Sequence, residues 1–299
     1  MNFSQPKLTM RASWAFLFGR RGYNPGMNLD VILAQLAEDP FAAVDLAAVA
    51  LHLAAEEYPN LDVPTYLTML DEYAEELMPR MRGTLEQRVA ELTHFLFEDE
   101  GFTGNATNYY EAENSYFNDV LDRKLGIPLT LSVLAMSVGQ RCGLTIVGVG
   151  LPGHFVAKAI DGDNELLFDP YHGGQFLNAD GCSSLVEAVT GQPFVVTEET
   201  VAASPPGFIV LRMLNNLKGI YLRTPDFNRA ARVTHRIVQL TPTDPLQRRD
   251  LGVTLVHAGK PGKAIDHLQT YLTMAPDAED ATVVQDFLKE ARREVARWN

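Results

Sequence analysis

Residues 126–174 read GIPLTLSVLAMSVGQRCGLTIVGVGLPGHFVAKAIDGDNELLFDPYHGG, and the order of elements in this stretch decides the fold. Gly126-Ile127-Pro128 opens a helix. Proline loses nothing at a first helical position, because the N–H it lacks would be an orphan there. Leu129, Val133, Met136 and Gln140 then follow the step of a helical face. Gly143-Leu144 makes a turn, an apolar strand ends in Pro152-Gly153-His154-Phe155, and a further strand ends in Phe168-Asp169-Pro170. The expected fold is therefore α+β, with an antiparallel sheet following the helix.

This order and spacing resembles a transglutaminase- or papain-like core. There, a thiolate at a helix N-terminus, a strand His and an Asp or Asn orienting that His form a triad. His154 and Asp169 match two members, and Pro128 stands at the nucleophile position. Proline has no thiol and no backbone N–H for an oxyanion hole, so attack and anion stabilisation are both lost. The wider run of motifs is Leu96-Phe97, Gly101-Phe102-Thr103-Gly104-Asn105, Asn114-Ser115-Tyr116, Val120-Leu121-Asp122-Arg123, Gly126-Ile127-Pro128, Pro152-Gly153-His154-Phe155 and Asp169-Pro170. Together these resemble the bacterial SirB-type family, roughly over residues 40–290. The resemblance implies N-terminal helices, a second-type transglutaminase-like core and C-terminal tetratricopeptide-repeat helices, with Gly-x-Pro where active transglutaminases have Gly-x-Cys. It supplies architecture more than mechanism. It also suggests that Asn114, Ser115 and Tyr116 line the vacant nucleophile pocket, with His172 a further pocket candidate.

Other nucleophiles are poorly placed. Cys142 falls in the last turn of the helix that Pro128 opens, where the negative dipole end raises a thiol pKa, and it reads as a small core residue. Cys182 follows Asp180-Gly181 in an expected turn beyond the His and Asp strands. Thr130 and Ser132 sit near the helix start, but a hydroxyl needs stronger activation than a thiol. His154 and Asp169 also admit a plain structural role as a hydrogen-bonded pair between adjacent strands. A metal reading can be drawn from His154, Asp169, His172 and Cys182. Without a close-spaced ligand pair such as C-x-x-C, neither a metal nor a cofactor is expected. Asn114-Ser115 reads equally well as a cap on the following helix, through Val120, Leu121 and Leu125. Gly101–Asn105 reads as a turn and lacks the Lys-Ser/Thr of a phosphate-binding loop.

The C-terminal third repeats at 34 residues: Leu217 matches Leu251, Tyr221 Leu255, Ala230 Ala264, Ile237 Tyr271, and Thr241-Pro242 Ala275-Pro276. This is the tetratricopeptide period, and two units with a last helix should lean on the core. The expected domains are an arm at 1–27, a helical region packed on the core at 28–100, the transglutaminase-like core at 101–205, and two repeats plus a capping helix at 206–299. Charge divides along the same lines. Residues 1–27 carry 4 basic and no acidic side chains, and 28–100 carry 3 basic and 16 acidic ones. Residues 207–249 carry 8 basic and 2 acidic side chains. That basic repeat could receive the acidic helices internally, or its groove could take an acidic peptide through Arg212, Asn215, Asn216 and Lys218.

Composition excludes several classes. A 299-residue chain with 46% hydrophobic residues can bury two cores without disulfides, and two cysteines fit a reducing cytoplasm. Ala12–Gly19 is too short to span a membrane and is followed by Arg20-Arg21 without a cleavage-like site. A net charge of −13 argues against general nucleic-acid binding. The expected function is a non-catalytic protein-binding adaptor with a protein or peptide partner. The alternatives are a hydrolase or amide-transfer enzyme using an unconventional nucleophile with His154 and Asp169, and a small-ligand sensor using the vacant pocket.

Overall fold

The computed structural model describes residues 28–297; the arm expected at 1–27 lies outside the described residues. These residues divide into two compact units. One comprises Asp45–Ala106 and Phe117–Ser204; the other comprises Asn28–Val44, Thr107–Tyr116 and the chain from Pro205 onward. This differs from the contiguous boundaries expected from the sequence. Helix α1 (Leu29–Glu38) and the 107–116 loop group with the repeats. The reason is local to α1: its apolar face of Leu29, Ile32, Leu33 and Leu36 is buried, and it packs on the first repeat.

The core unit begins with α2 (Leu46–Ala55), α3 (Val63–Leu77) and α4 (Leu85–His94), which runs on into a π turn at Phe95–Asp99. Asp45 caps α2 by accepting from the N–H groups of Ala47 and Ala48, and Thr84 with Gln87 forms a capping box on α4. A two-residue strand β1 (Thr103–Gly104) pairs in parallel with β2 (Leu125–Gly126), where the sequence read only a turn. Between them α5 (Phe117–Arg123) ends sooner than expected. Lys124 takes the left-handed conformation at φ 58°, and its ammonium sits over the rings of Tyr73 and Phe102 while pairing with Glu100 at 2.8 Å. That cation–π cage turns the chain out of the helix before Leu125.

Helix α6 (Pro128–Arg141) follows, then an antiparallel meander of β3 (Thr145–Leu151), β4 (His154–Asp161), β5 (Asn164–Asp169) and β6 (Gln175–Leu177) in that spatial order. Pro152-Gly153 forms the β3–β4 turn, with Gly153 at φ 70° and Leu151 opposite His154. Helix α6 packs on β3 and β4, and α7 (Ala179–Thr190) packs on β4 and β6. Val149, Leu151, Val156, Cys182 and Val186 share one buried cluster.

The repeat unit contains α8 (Pro206–Arg223), α9 (Phe227–Leu240), α10 (Pro245–His257), α11 (Pro261–Met274) and α12 (Ala281–Arg297), each packed on the next. The matched residues of the 34-residue period, Leu217 with Leu251, Tyr221 with Leu255, Ala230 with Ala264, and Ile237 with Tyr271, are all buried. Thr241 and Ala275 cap α9 and α11 ahead of their prolines. Periodicity in sequence has thus become equivalent burial in two stacked hairpins.

Half of the eight basic side chains of residues 207–249 pair with carboxylates of their own unit. Lys218, a buried lysine, donates to Gln247 at 3.1 Å and pairs with Asp250. Arg249 bridges Asp250 and Asp280 at 2.8 Å each, Arg236 pairs with Asp30 of α1, and Arg229 pairs with Asp226. Lys218 is therefore a strut between α8 and α10 rather than a groove cation. Lys218→Glu replaces this strut with a second carboxylate beside Asp250, which keeps Arg249 as its partner, so it is expected to cost about 2–3 kcal/mol, read as a melting temperature several degrees lower.

His267 on α11 is half-buried, with Nδ1 lacking a hydrogen-bond partner. Burial, then the charge of Arg248, pushes its pKa below the ordinary imidazole range. The folded chain resists a proton that the unfolded chain accepts. Stability from this residue is thus complete above about pH 6.5 and is lost as pH falls through the lower folded value. Thermal melts at about pH 7.5 and about pH 5.5 should show a larger drop for the wild type than for His267→Gln.

Candidate functional site

The site grows from a six-residue turn. Asp169 ends β5 and caps the 3-10 turn Pro170–His172, its Oδ1 accepting from the Tyr171 N–H at 3.0 Å. Gly173 follows at φ 69°, and the Gly174 N–H closes on the Asp169 carbonyl at 2.8 Å. Glycine is required at 174 because φ is 78° there and a Cβ would lie 2.3 Å from Thr93. It is also required at 104, where a Cβ would come within 2.5 Å of the Tyr171 ring. The turn is thereby clamped from β1 and from α4.

On this support Asp169 gathers two imidazoles. Its Oδ2 lies 2.9 Å from His154 Nε2 and 2.7 Å from His172 Nδ1. The two rings stack at 21° with centroids 5.8 Å apart, and Tyr171 meets both edge-on. Asp169 and His154 are buried at 1% and 3% exposure, whereas His172 is half open to solvent at 49% of its side chain. Burial acts to raise the Asp169 carboxyl, but hydrogen bonds and charge from His154, then His172, outweigh it and hold the group below the usual carboxylate range. The direct contact between His154 and Asp169 is the geometry in which a carboxylate orients a strand histidine.

Pro128 is the first residue of α6, and Thr130 Oγ1 takes the capping role by accepting from the Ile127 N–H at 3.1 Å. The Thr130 hydroxyl donates to the Ile127 carbonyl and the Ser132 hydroxyl to the Pro128 carbonyl at 2.7 Å, so the hydroxyls weighed as substitutes serve the helix itself. Cys142 caps the far end of α6, donates to the Ala74 carbonyl at 3.6 Å, and burial pushes its thiol up to about 11. Cys182 is not in a turn. It lies in the first turn of α7, which Asn178 caps by accepting from Gly181, and it is fully buried among Val149, Leu151 and Val186. Burial raises its pKa and the charge of Asp169 raises it further. Both effects disfavour the thiolate form.

The remaining candidates have other contacts. Asn114, Ser115 and Tyr116 belong to the repeat-bearing unit, whereas His172 belongs to the core. Asn114 donates to the carbonyls of Asn108 and Tyr109, holding its own loop together, and the Tyr116 and Tyr221 hydroxyls meet at 2.6 Å. Ser115 Oγ is buried without a partner. Arg212 is half-buried beside Tyr109, while Asn215 is exposed and Asn216 half-exposed on α8. The contribution of His172 was legible in Asp169-Pro170-Tyr171-His172, since a 3-10 turn eclipses residues i and i+3.

Both cysteines are expected to resist iodoacetamide in the folded protein at neutral pH, with two equivalents incorporated only in denaturant. Intact-mass measurement decides it, and rapid native labelling of Cys182 would contradict its assigned burial.

Residues 64–215 match the family model described as transglutaminase-like superfamily, and residues 217–289 match that of the tetratricopeptide repeat. Among relatives, the chain is 32% identical over 258 residues to a UPF0162 protein of Xylella fastidiosa strain Temecula1, covering 83% of this chain and 90% of that one. It is 33% identical over 259 residues to the UPF0162 protein of strain 9a5c, with the same coverage. A UPF0162 protein of Pasteurella multocida is 23% identical over 203 residues, 68% of this chain and 76% of the other. No solved structure matches the chain. A transglutaminase-like core with a proline at its helix start, followed by tetratricopeptide repeats and matched along most of its length to these relatives, places this chain in the UPF0162 family of SirB-type proteins.

Proposed function

We propose that this chain is a transglutaminase-like protein without acyl-transfer chemistry, acting in the cytoplasm as a protein-binding adaptor through its repeats. The observation that carries this reading is Pro128 at the first position of α6, where such cores hold their thiol. The thiols that do exist are buried and made less acidic, and the nearby hydroxyls are engaged by helix carbonyls. Two unpaired cysteines support a reducing compartment. Among the described residues no helix is long and apolar enough to cross a membrane.

For the adaptor role, support comes from the match of residues 217–289 to a repeat class that commonly mediates protein–protein contact. Internal pairing of Lys218, Arg236 and Arg249 moves the recognition surface toward uncharged side chains of α8, chiefly Asn215 and Asn216. An acidic peptide is then a weaker fit than a polar one, because four of the eight counted cations, Lys218, Arg229, Arg236 and Arg249, already hold carboxylates.

Incubation with a glutamine peptide and a fluorescent primary amine is expected to give no incorporation above buffer, with or without prior alkylation. Thiol-sensitive incorporation would remove the non-catalytic assignment. In parallel, the double variant Asn215→Arg, Asn216→Arg is expected to lose cross-links to its partner while keeping its melting temperature. Full retention of the cross-links would reject this face of α8.

A further inference from the structure

We propose that His154, Asp169 and His172 form a binding site for one divalent transition-metal ion of the class that accepts imidazole, such as zinc. One donor atom from each residue lies within 4.8 Å of those of the other two, and Asp169 Oδ2 is in direct contact with His154 Nε2 and His172 Nδ1. Two imidazoles and one carboxylate are a donor set that binds such ions while leaving coordination positions for water. The proposal is independent of the adaptor reading, since it concerns the core and needs no partner protein.

Three features distinguish this from a chance meeting of polar groups. With metal–ligand bonds of about 2.1 Å, neighbouring donors in a coordination shell sit about 3.0–3.4 Å apart. The observed nitrogen-to-oxygen separations of 2.9 and 2.7 Å need to open by only a few tenths of an ångström. Secondly, the carboxylate is already oriented. Oδ1 is held by the Tyr171 N–H, so Oδ2 faces both rings, the kind of outer-shell bond that fixes a ligand before the ion arrives. Thirdly, the site is enclosed on one side and open on the other, because His154 and Asp169 are buried and His172 stands half exposed. An ion can enter past His172 and keep water on that side.

The ion would compete with the two N–H···O bonds now converging on Oδ2, each ring placing its proton on the opposite nitrogen. The absence of a close-spaced pair such as C-x-x-C, which argued against metal in the sequence, loses its force once Asp169 and His172 are seen on one face of a 3-10 turn. Cys182, weighed as a fourth ligand, is not within this group.

The test uses full-length protein freed of metal with a chelator and titrated with zinc in a calorimeter, with magnesium as control. One zinc per chain is expected, with no magnesium heat and a raised melting temperature in zinc alone. His172→Ala should weaken zinc at least tenfold and abolish the zinc-induced rise in melting temperature, measured against that variant's own metal-free melt. Cobalt supplies an independent reading, since its visible absorption reports imidazole coordination and should fade in the same variant. Absence of saturable zinc binding overturns the proposal, and so does wild-type affinity in both His172→Ala and His172→Gln, which would put the ion elsewhere.

Discussion

A single buried carboxylate organises the core. Asp169 is removed from water almost completely, and a charge in that position persists only if its oxygens are fully used. The chain meets that demand with the Tyr171 N–H on one oxygen and two imidazoles on the other. Each donor fixes a different part of the structure: Tyr171 sets the 3-10 turn, His154 ties in the start of β4, and His172 closes the outer side. The glycines at 104 and 174 exist because this arrangement draws neighbouring segments closer than a Cβ allows. Remove the carboxylate's charge and the turn, the strand end and the open face lose their common reference.

What the sequence disclosed was whatever depends on local pattern. Pro128 at a helix start, the Pro152-Gly153 turn, and the burial shared by residues 34 apart follow from backbone chemistry and periodicity, which act within a few residues or repeat regularly. The pairing of His154 with Asp169 was legible because order along adjacent strands is nearly position in space. What stayed hidden depended on packing. Asp180-Gly181 resembles a turn, yet Asn178 caps a helix across it and places Cys182 in the core. Leu125 looked like the end of a helix, but the cage around Lys124 stops α5 first. The brief pairing of Thr103–Gly104 with Leu125–Gly126 has no periodic signal at all, being two residues long.

Charge was the least legible quantity, because a count along the chain ignores which carboxylates arrive from afar. Of the eight cations of residues 207–249, Lys218, Arg236 and Arg249 meet carboxylates that lie outside that stretch, Asp250, Asp30 and Asp280. Their use as struts ties α8 to α10 and α9 to α1.

The pairing of α1 with the repeats also has a consequence for synthesis. Asp30 and Arg236 are separated by 206 residues of chain. At translation rates of about 5–20 residues per second, α1 waits roughly 10–40 s before its packing partners exist. During that interval Leu29, Ile32, Leu33 and Leu36 have no repeat helix to cover them. The nascent chain therefore carries an apolar helix face whose shielding must come from transient contacts or a chaperone, and completion of this unit is tied to the last third of the message.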